Sequence, residues 1–128
     1  MKIKIIHFGA KEAFEKLAKR EAVLLDIRME YLYAFKQFDV PCSAHILFEN
    51  LTESVDELPK DLFFICADSS GINSKNAAQI LINHGFESVG NLAGGMVDWE
   101  RAGMPVGVNL TESLTGSCMC QLKKRSKL

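Results

Sequence analysis

The stretch that decides the fold lies in the middle of the chain and reads Leu62-Phe63-Phe64-Ile65-Cys66-Ala67-Asp68-Ser69-Ser70-Gly71-Ile72-Asn73-Ser74-Lys75-Asn76-Ala77-Ala78. It begins as a short apolar run, which is typical of a β-strand buried on both faces. It continues into a segment whose apolar residues recur at helical spacing, namely Ala77, Ala78, Leu81 and Ile82. The pattern therefore predicts that Cys66 ends a buried strand and faces a loop that enters a helix.

The predicted position of Cys66 indicates a reactive thiol. The N–H groups and the dipole of a helix N-terminus favour an anion, so we expect a lowered pKa for this thiol. The thiolate is the nucleophilic form of cysteine. The alternative is that Cys66 only fills the core, since free cysteine is among the most buried residue types.

Composition excludes several classes of protein. The 128 residues fit one domain, and the net charge of −1 gives no attraction to nucleic acid or to a membrane surface. No apolar run approaches the ~20 residues of a transmembrane helix, and the N-terminus has no long apolar region of a signal peptide. We therefore expect a cytoplasmic protein without nucleic-acid or membrane partners. In that compartment the four cysteines are expected to be reduced, catalytic or metal-binding rather than a disulfide framework.

Buried strand patterns alternate with amphipathic helix patterns along the chain. The predicted strands are 3–8, 22–27, 44–48, 62–67 and 88–92, and the predicted helices are 10–20, 30–38, 51–58, a segment ending near 85, and 96–102. This alternation predicts an α/β domain over residues 1–108, with a central, mostly parallel sheet of about five strands covered by helices on both faces. After Val108 the pattern stops, and residues 109–128 are expected to form a polar tail.

The order of the motifs resembles that of a rhodanese-homology domain between about residues 14 and 106. The matching segments are 24–28, 40–41, 64–66 with Gly71 and Ser74, 85–86, 92–96 with Trp99, and 103–106. The resemblance implies the three-layer rhodanese-like fold and sulfur transfer. In such enzymes a loop cysteine takes a sulfane sulfur from a donor, becomes a persulfide, and passes the sulfur to a nucleophilic acceptor.

The resemblance makes Cys66 the catalytic residue and gives the following loop the role of holding the anionic persulfide with its N–H groups. That loop comprises Ala67, Asp68, Ser69, Ser70, Gly71, Ile72, Asn73 and Ser74. The implied partners are a small-molecule or protein sulfur donor and a thiol acceptor. No cofactor and no metal are expected. Asp26 and Arg28, at the end of the second strand, are expected to be structural, as an ion pair or a turn cap.

The loop departs from the family pattern. The usual family loop has six residues, begins with Cys and often ends in Arg, whereas Cys66 to Asn73 makes eight residues with Asn73 in the place of Arg. An amide cannot replace the charge and the bidentate geometry of a guanidinium. Asp68 adds a negative charge. Thiosulfate is therefore not favoured as the donor, and a polysulfide or a persulfide fits better.

Two further cysteines, Cys118 and Cys120, lie in the tail as Cys118-Met119-Cys120. They are candidate accessory thiols that take sulfur from Cys66 by exchange, or they are incidental residues of a solvated tail. Cys42 is expected to be a buried turn residue. The three histidines and Trp99 are expected to be structural.

Two other functions remain open. The chain is alternatively a non-catalytic interaction domain that kept the fold and lost donor binding, which the longer loop and the missing Arg favour. It is alternatively a thiol-redox protein that pairs Cys66 with Cys118 or Cys120.

Overall fold

A computed structural model describes residues 4–108 of the chain. The strands are β1 Lys4–Phe8, β2 Val23–Asp26, β3 Lys36–Phe38, β4 Ser43–His45, β5 Phe64–Ala67, β6 Ser88–Leu92 and β7 Val106–Val108. The α-helices are α1 Ala10–Ala18, α2 Glu30–Phe35, α3 Leu51–Ser54, α4 Ile72–Asn83 and α5 Gly95–Arg101. Short 3-10 helices, Phe48–Asn50 and Val55–Glu57, flank α3.

Five strands form one sheet in the order β1-β6-β5-β2-β4, and all of their pairings are parallel. The strand β5 lies at the centre, where Cys66 is in register with Leu25 of β2 and Asn91 of β6. All four residues of β2 and of β5 are buried, as expected for parallel strands covered on both faces. The predicted α/β class with a parallel sheet of about five strands is therefore confirmed.

Two apolar clusters cover the two faces of the sheet. One packs α3 and α4 against the sheet and includes Leu51, Leu81 and Cys66. The other packs α1 and α5 and includes Leu17, Ala67 and Trp99. Because side chains alternate along a strand, consecutive residues of β5 enter opposite clusters. The predicted three-layer arrangement is present, and Trp99 belongs to the core as expected.

The predicted helix 30–38 is wrong in its last three residues. The helix α2 ends at Phe35, and Lys36–Phe38 pairs antiparallel with Val106–Val108 in a separate two-stranded sheet. A further backbone hydrogen bond, from the N–H of Asp39 to the carbonyl of Pro105 (3.1 Å), extends this pairing. The partner strand lies about 70 residues away along the chain, so no local pattern could indicate the pairing.

Other element bounds also differ from the predicted ones. The strand β4 ends at His45, although the N–H groups of Ile46 and Phe48 still donate to the carbonyls of Asp26 and Ile27. The predicted helix 51–58 is α3 followed by a 3-10 turn. None of the helices within residues 4–108 is long and apolar enough to cross a membrane.

Candidate active site

The central strand places Cys66 inside the protein. Its exposed fraction is 0%, and its side chain packs in the cluster that contains Ala77 and Ala78 of α4. The strand β5 continues through Ala67, so Cys66 is a strand residue and does not lie in the loop. The expectation that this thiol faces the loop is therefore wrong.

The expected lowering of the Cys66 pKa is also wrong. Burial raises the pKa of this thiol well above its ordinary value, and the nearby negative charge of Asp68 raises it further. A lowered pKa would require the sulfur to face the N–H groups of a helix N-terminus, whereas the sulfur lies among apolar side chains. At neutral pH Cys66 is therefore a protonated, shielded thiol.

The loop between β5 and α4 begins at Asp68 and is organised around the carboxylate of that residue. Its Oδ1 accepts a hydrogen bond from the N–H of Gly71 (2.5 Å), and its Oδ2 accepts one from the N–H of Asn73 (2.8 Å). Asp68 is 6% exposed. The carboxylate thus takes N–H groups at the start of α4 that would otherwise be available to an anionic ligand.

The end of β5 also changes the length of the loop. Since Cys66 and Ala67 belong to the strand, the segment comparable to the family loop is Asp68 to Asn73, of which residues 68–71 precede α4 and the last two begin it. Six residues are the usual family length. The first residue of that six-residue segment is Asp68. The predicted eight-residue loop is wrong, and Ile72, Asn73 and Ser74 lie in the first turn of α4.

A second turn, at Gly94 and Gly95, lies against the loop, and the helix α5 that follows it is hydrogen-bonded to the loop. The N–H groups of Met96 and Val97 in α5 donate to the carbonyls of Asp68 (2.9 Å) and Ser69 (3.0 Å). Gly71 has a φ of +95°, and a Cβ atom there would lie 2.8 Å from the nitrogen of Gly94. Only glycine fits both this conformation and this approach.

A chain of polar side chains runs beneath the start of α4, and the sequence reasoning missed it. The hydroxyl of Ser74 donates to the side-chain oxygen of Asn91, whose amide nitrogen is 3.0 Å from Nδ1 of His7. Ser74 and Asn91 are fully buried. The sequence does contain a signal for this chain, namely Asn91 within the predicted buried strand, since a buried amide requires hydrogen-bond partners.

Asp26 and Arg28 form the ion pair that was expected. The Nη2 atom of Arg28 is 2.7 Å from Oδ2 of Asp26, and its Nε is 2.9 Å from Oδ1. Nη2 also donates to the carbonyl of Lys36 (2.7 Å), at the start of β3. The side chains of Arg28 and Asp26 are 4% and 2% exposed, so this guanidinium has a structural role and is not available to a ligand.

A pocket of about 870 Å³ opens where the loop meets α2. Arg28 to Leu32 form one wall, and Leu47 to Glu49 form another. Asp68, Ser69, Ser70, Ile72 and Asn73 form the side that belongs to the loop and α4. The pocket lies at the carboxyl ends of parallel strands, where ligands of open α/β sheets bind. Cys66 does not line it.

The remaining candidates have structural surroundings. His45 donates to the carbonyl of Arg28 (2.7 Å) and stacks on the ring of Tyr33 (3.9 Å between centroids). Cys42 is buried, as expected, but its sulfur is disulfide-bonded, which differs from the expectation of reduced cysteines. Cys118 and Cys120 lie outside the described residues. Within residues 4–108, no group of three His, Cys, Asp or Glu side chains could hold a metal ion.

Comparison with known proteins gives a consistent family. The model of the family described as Rhodanese-like domain matches residues 10–102. Thiosulfate sulfurtransferase GlpE of Actinobacillus pleuropneumoniae is 33% identical over 96 residues, which cover 74% of this chain and 86% of the relative. The protein of the same name from Vibrio cholerae is 28% identical, and the match covers 79% of this chain and 93% of the relative.

Solved structures agree on the fold. The rhodanese-related protein from Thermoplasma volcanium superposes with a TM-score of 0.70 at 24% identity, over 80% of this chain and 97% of that protein. The Alr3790 protein from Anabaena sp. has a TM-score of 0.73 at 19% identity, over 94% of each chain. At these identities the likeness concerns the fold alone.

Proposed function

The chain belongs to the rhodanese-like domain family, and from that premise we propose that it transfers sulfane sulfur with Cys66 as the sulfur carrier. Sulfur transfer is the activity that the family match and the curated relatives support for this chain. The observation that favours Cys66 is its place as a free thiol in the central strand, two residues before the loop. The chain therefore needs a sulfur donor and a sulfur acceptor as substrates.

The proposed reaction has two displacements. The Cys66 thiolate attacks the outer sulfur of a donor R–S–SH, a new S–S bond forms, and the donor's S–S bond breaks with release of R–S⁻. An acceptor thiolate then attacks the outer sulfur of the Cys66 persulfide and releases the Cys66 thiolate. Sulfane sulfur moves and no external oxidant or reductant is consumed.

Burial of Cys66 sets the conditions for this reaction. Because the thiol is protonated and packs against α4, this helix and the loop that leads into it must move away from β5 before a donor reaches the sulfur. The curated relatives are named for thiosulfate. In this chain, however, the negatively charged carboxylate of Asp68 already accepts the hydrogen bonds of N–H groups at the start of α4. For this chain we therefore propose a persulfide or a polysulfide as the donor.

A second function, a non-catalytic interaction domain, is favoured by one specific observation. Asp68, and not a cysteine, is the first residue of the six-residue loop, and its carboxylate already occupies the place that a loop anion would take. On this alternative the fold serves binding, and Cys66 is a core residue. The thiol-redox alternative requires Cys118 or Cys120, outside the described residues, and stays a prediction.

Intact mass spectrometry of the reduced full chain separates the two functions. The protein would be incubated with polysulfide and, separately, with thiosulfate, as wild type, as Cys66→Ala and as Asp68→Cys. Sulfur transfer through Cys66 predicts that the wild type gains one sulfur more than Cys66→Ala, with polysulfide rather than thiosulfate. Equal gains by those two proteins, together with an additional gain in Asp68→Cys, would favour the interaction domain.

We also propose the domain bounds and the location that the sequence predicts. The boundary between a domain at 1–108 and a tail at 109–128 rests on the sequence pattern, and so does the cytoplasmic location. The absence of nucleic-acid partners rests on the net charge of −1.

A further inference from the structure

We propose that the pocket between α2 and the Asp68 loop is a docking groove for a basic segment of a partner protein. In this arrangement an apolar side chain of the partner enters the pocket, and lysine or arginine side chains next to it face Glu30 and Glu49. The inference rests on the proposed function, since a protein that donates or accepts sulfur must approach this end of the sheet. The inference adds which kind of segment that protein presents, namely one with basic and apolar side chains.

The first observation is the apolar surface around the pocket. Among the described residues, five large hydrophobic side chains are exposed, and three of them line this pocket: Met29 (60%), Tyr31 (65%) and Ile72 (71%). A fourth, Phe35, lies on the same helix α2. Exposed apolar side chains that gather at one place with a polar rim are typical of interaction sites. A cavity of about 870 Å³ is also far larger than a sulfur anion of a few atoms requires.

The second observation is the charge of the pocket. Its one cationic side chain, Arg28, is neutralised by Asp26 in a buried pair. The other charged side chains in its lining are Glu30, Glu49 and Asp68, all acidic. Neither Glu30 nor Glu49 forms a salt bridge with another residue of 4–108. The pocket therefore carries uncompensated negative charge, which attracts a basic partner and repels an acidic one.

The two observations together favour a peptide segment over a metal ion. The carboxylates do not belong to any group within residues 4–108 that could hold a metal. Apolar walls also gain little from a hydrated cation, whereas a leucine or a methionine side chain is stabilised there by burial. In a segment that alternates apolar and basic residues, the apolar side chains pack against the pocket walls and the basic side chains pair with Glu30 and Glu49.

The test is fluorescence anisotropy with a labelled synthetic peptide of alternating leucine and lysine residues and the full chain. Its counterpart has glutamate in place of lysine. We expect the lysine peptide to bind and the glutamate peptide not to bind. The double variant Glu30→Lys/Glu49→Lys should weaken binding by about tenfold, and Met29→Ser should also weaken it. Neither peptide contains sulfur, so this outcome is independent of whether Cys66 carries sulfur.

The matched control is Glu15→Lys/Glu87→Lys, which makes the same change in net charge at two exposed positions outside the pocket. This control should bind the lysine peptide nearly as well as the wild type. Equal weakening by the two double variants would overturn the proposal, because it would indicate attraction to net charge without a groove. Equal binding of the lysine and glutamate peptides would overturn it as well. Circular dichroism would verify that each variant is folded.

Discussion

At the scale of single residues, Cys66 combines a nucleophilic atom with complete burial. The raised pKa of the thiol means that the folded protein keeps its proton at a pH where the unfolded chain releases it. The unfolded state then binds fewer protons than the folded state above about pH 9, so the free energy of unfolding falls as the pH rises. The limiting slope is about 1.4 kcal/mol per pH unit.

This dependence is measurable by urea denaturation of the reduced protein at pH 8, 9 and 10. We expect the wild type to lose more stability over this range than Cys66→Ala, which cannot titrate at that position. Tyrosines and lysines titrate in both proteins and cancel in the difference. Parallel losses in the two proteins would mean that the thiol is accessible and has an ordinary pKa.

Asp68 shows why a residue at the site could not be assigned from the sequence alone. The apolar run from Leu62 to Ala67 indicates a strand, but nothing in the run fixes which residue is its last. A shift of two positions moves the first residue of the loop from Cys66 to Asp68. The hydrogen bonds from Gly71 and Asn73 identify Asp68 as the loop residue. The pair of Asp26 and Arg28 was predictable, because two opposite charges after a buried strand have few other partners.

At the scale of elements, the start of α4 depends on Gly71. Its φ of +95° is strained for any other residue, and a Cβ atom would lie 2.8 Å from the backbone nitrogen of Gly94. We expect Gly71→Ala to lower the free energy of unfolding by about 2 kcal/mol or more, from the conformation and the steric overlap together. Thermal or urea denaturation measures this loss.

Gly103 supplies the control for that substitution. Its φ is +79°, but a Cβ atom there would have no neighbour within 4 Å. Gly103→Ala should therefore cost only the conformational part, about 1 kcal/mol. If the two variants lose the same stability, the approach of Gly71 to Gly94 is not tight, and the loop is free to move away from α5.

The elements also show which part of the fold a sequence specifies. The parallel sheet could be predicted because its central strands, β2 and β5, are local apolar runs that are buried on both faces. The pairing of β3 with β7 could not, because Lys36–Phe38 continues the pattern of α2 and its partner lies near the end of the domain. Long-range pairing is decided by tertiary contacts such as the bond from Asp39 to Pro105.

At the scale of the whole molecule, Arg28 connects the two sheets. Its guanidinium is bound to Asp26 at the end of β2 and to the carbonyl of Lys36 in β3, and it lies 5.2 Å from the ring of Phe38. We expect Arg28→Met to lower the free energy of unfolding by about 3–5 kcal/mol, since it leaves the buried carboxylate of Asp26 unpaired. Urea denaturation would measure the loss.

Two further variants identify the cause of that loss. In Asp26→Asn/Arg28→Met the buried charge is gone, and much of the stability should return. Lys16→Met breaks a surface ion pair with Glu21 and should change stability by less than about 1 kcal/mol. If Arg28→Met behaves like Lys16→Met, the two sheets are held together by packing alone.

The position of Trp99 makes the intrinsic fluorescence of this protein useful. Trp99 is the one tryptophan of the chain, is fully buried, and donates its indole N–H to the carbonyl of Pro105 (2.7 Å). The rings of Phe14 and Phe38 contact it edge-on, and it does not line the pocket beside α2. Its emission therefore reports whether the core on the α1 and α5 side of the sheet is packed or unfolded. Unfolding can thus be followed by spectroscopy without a label.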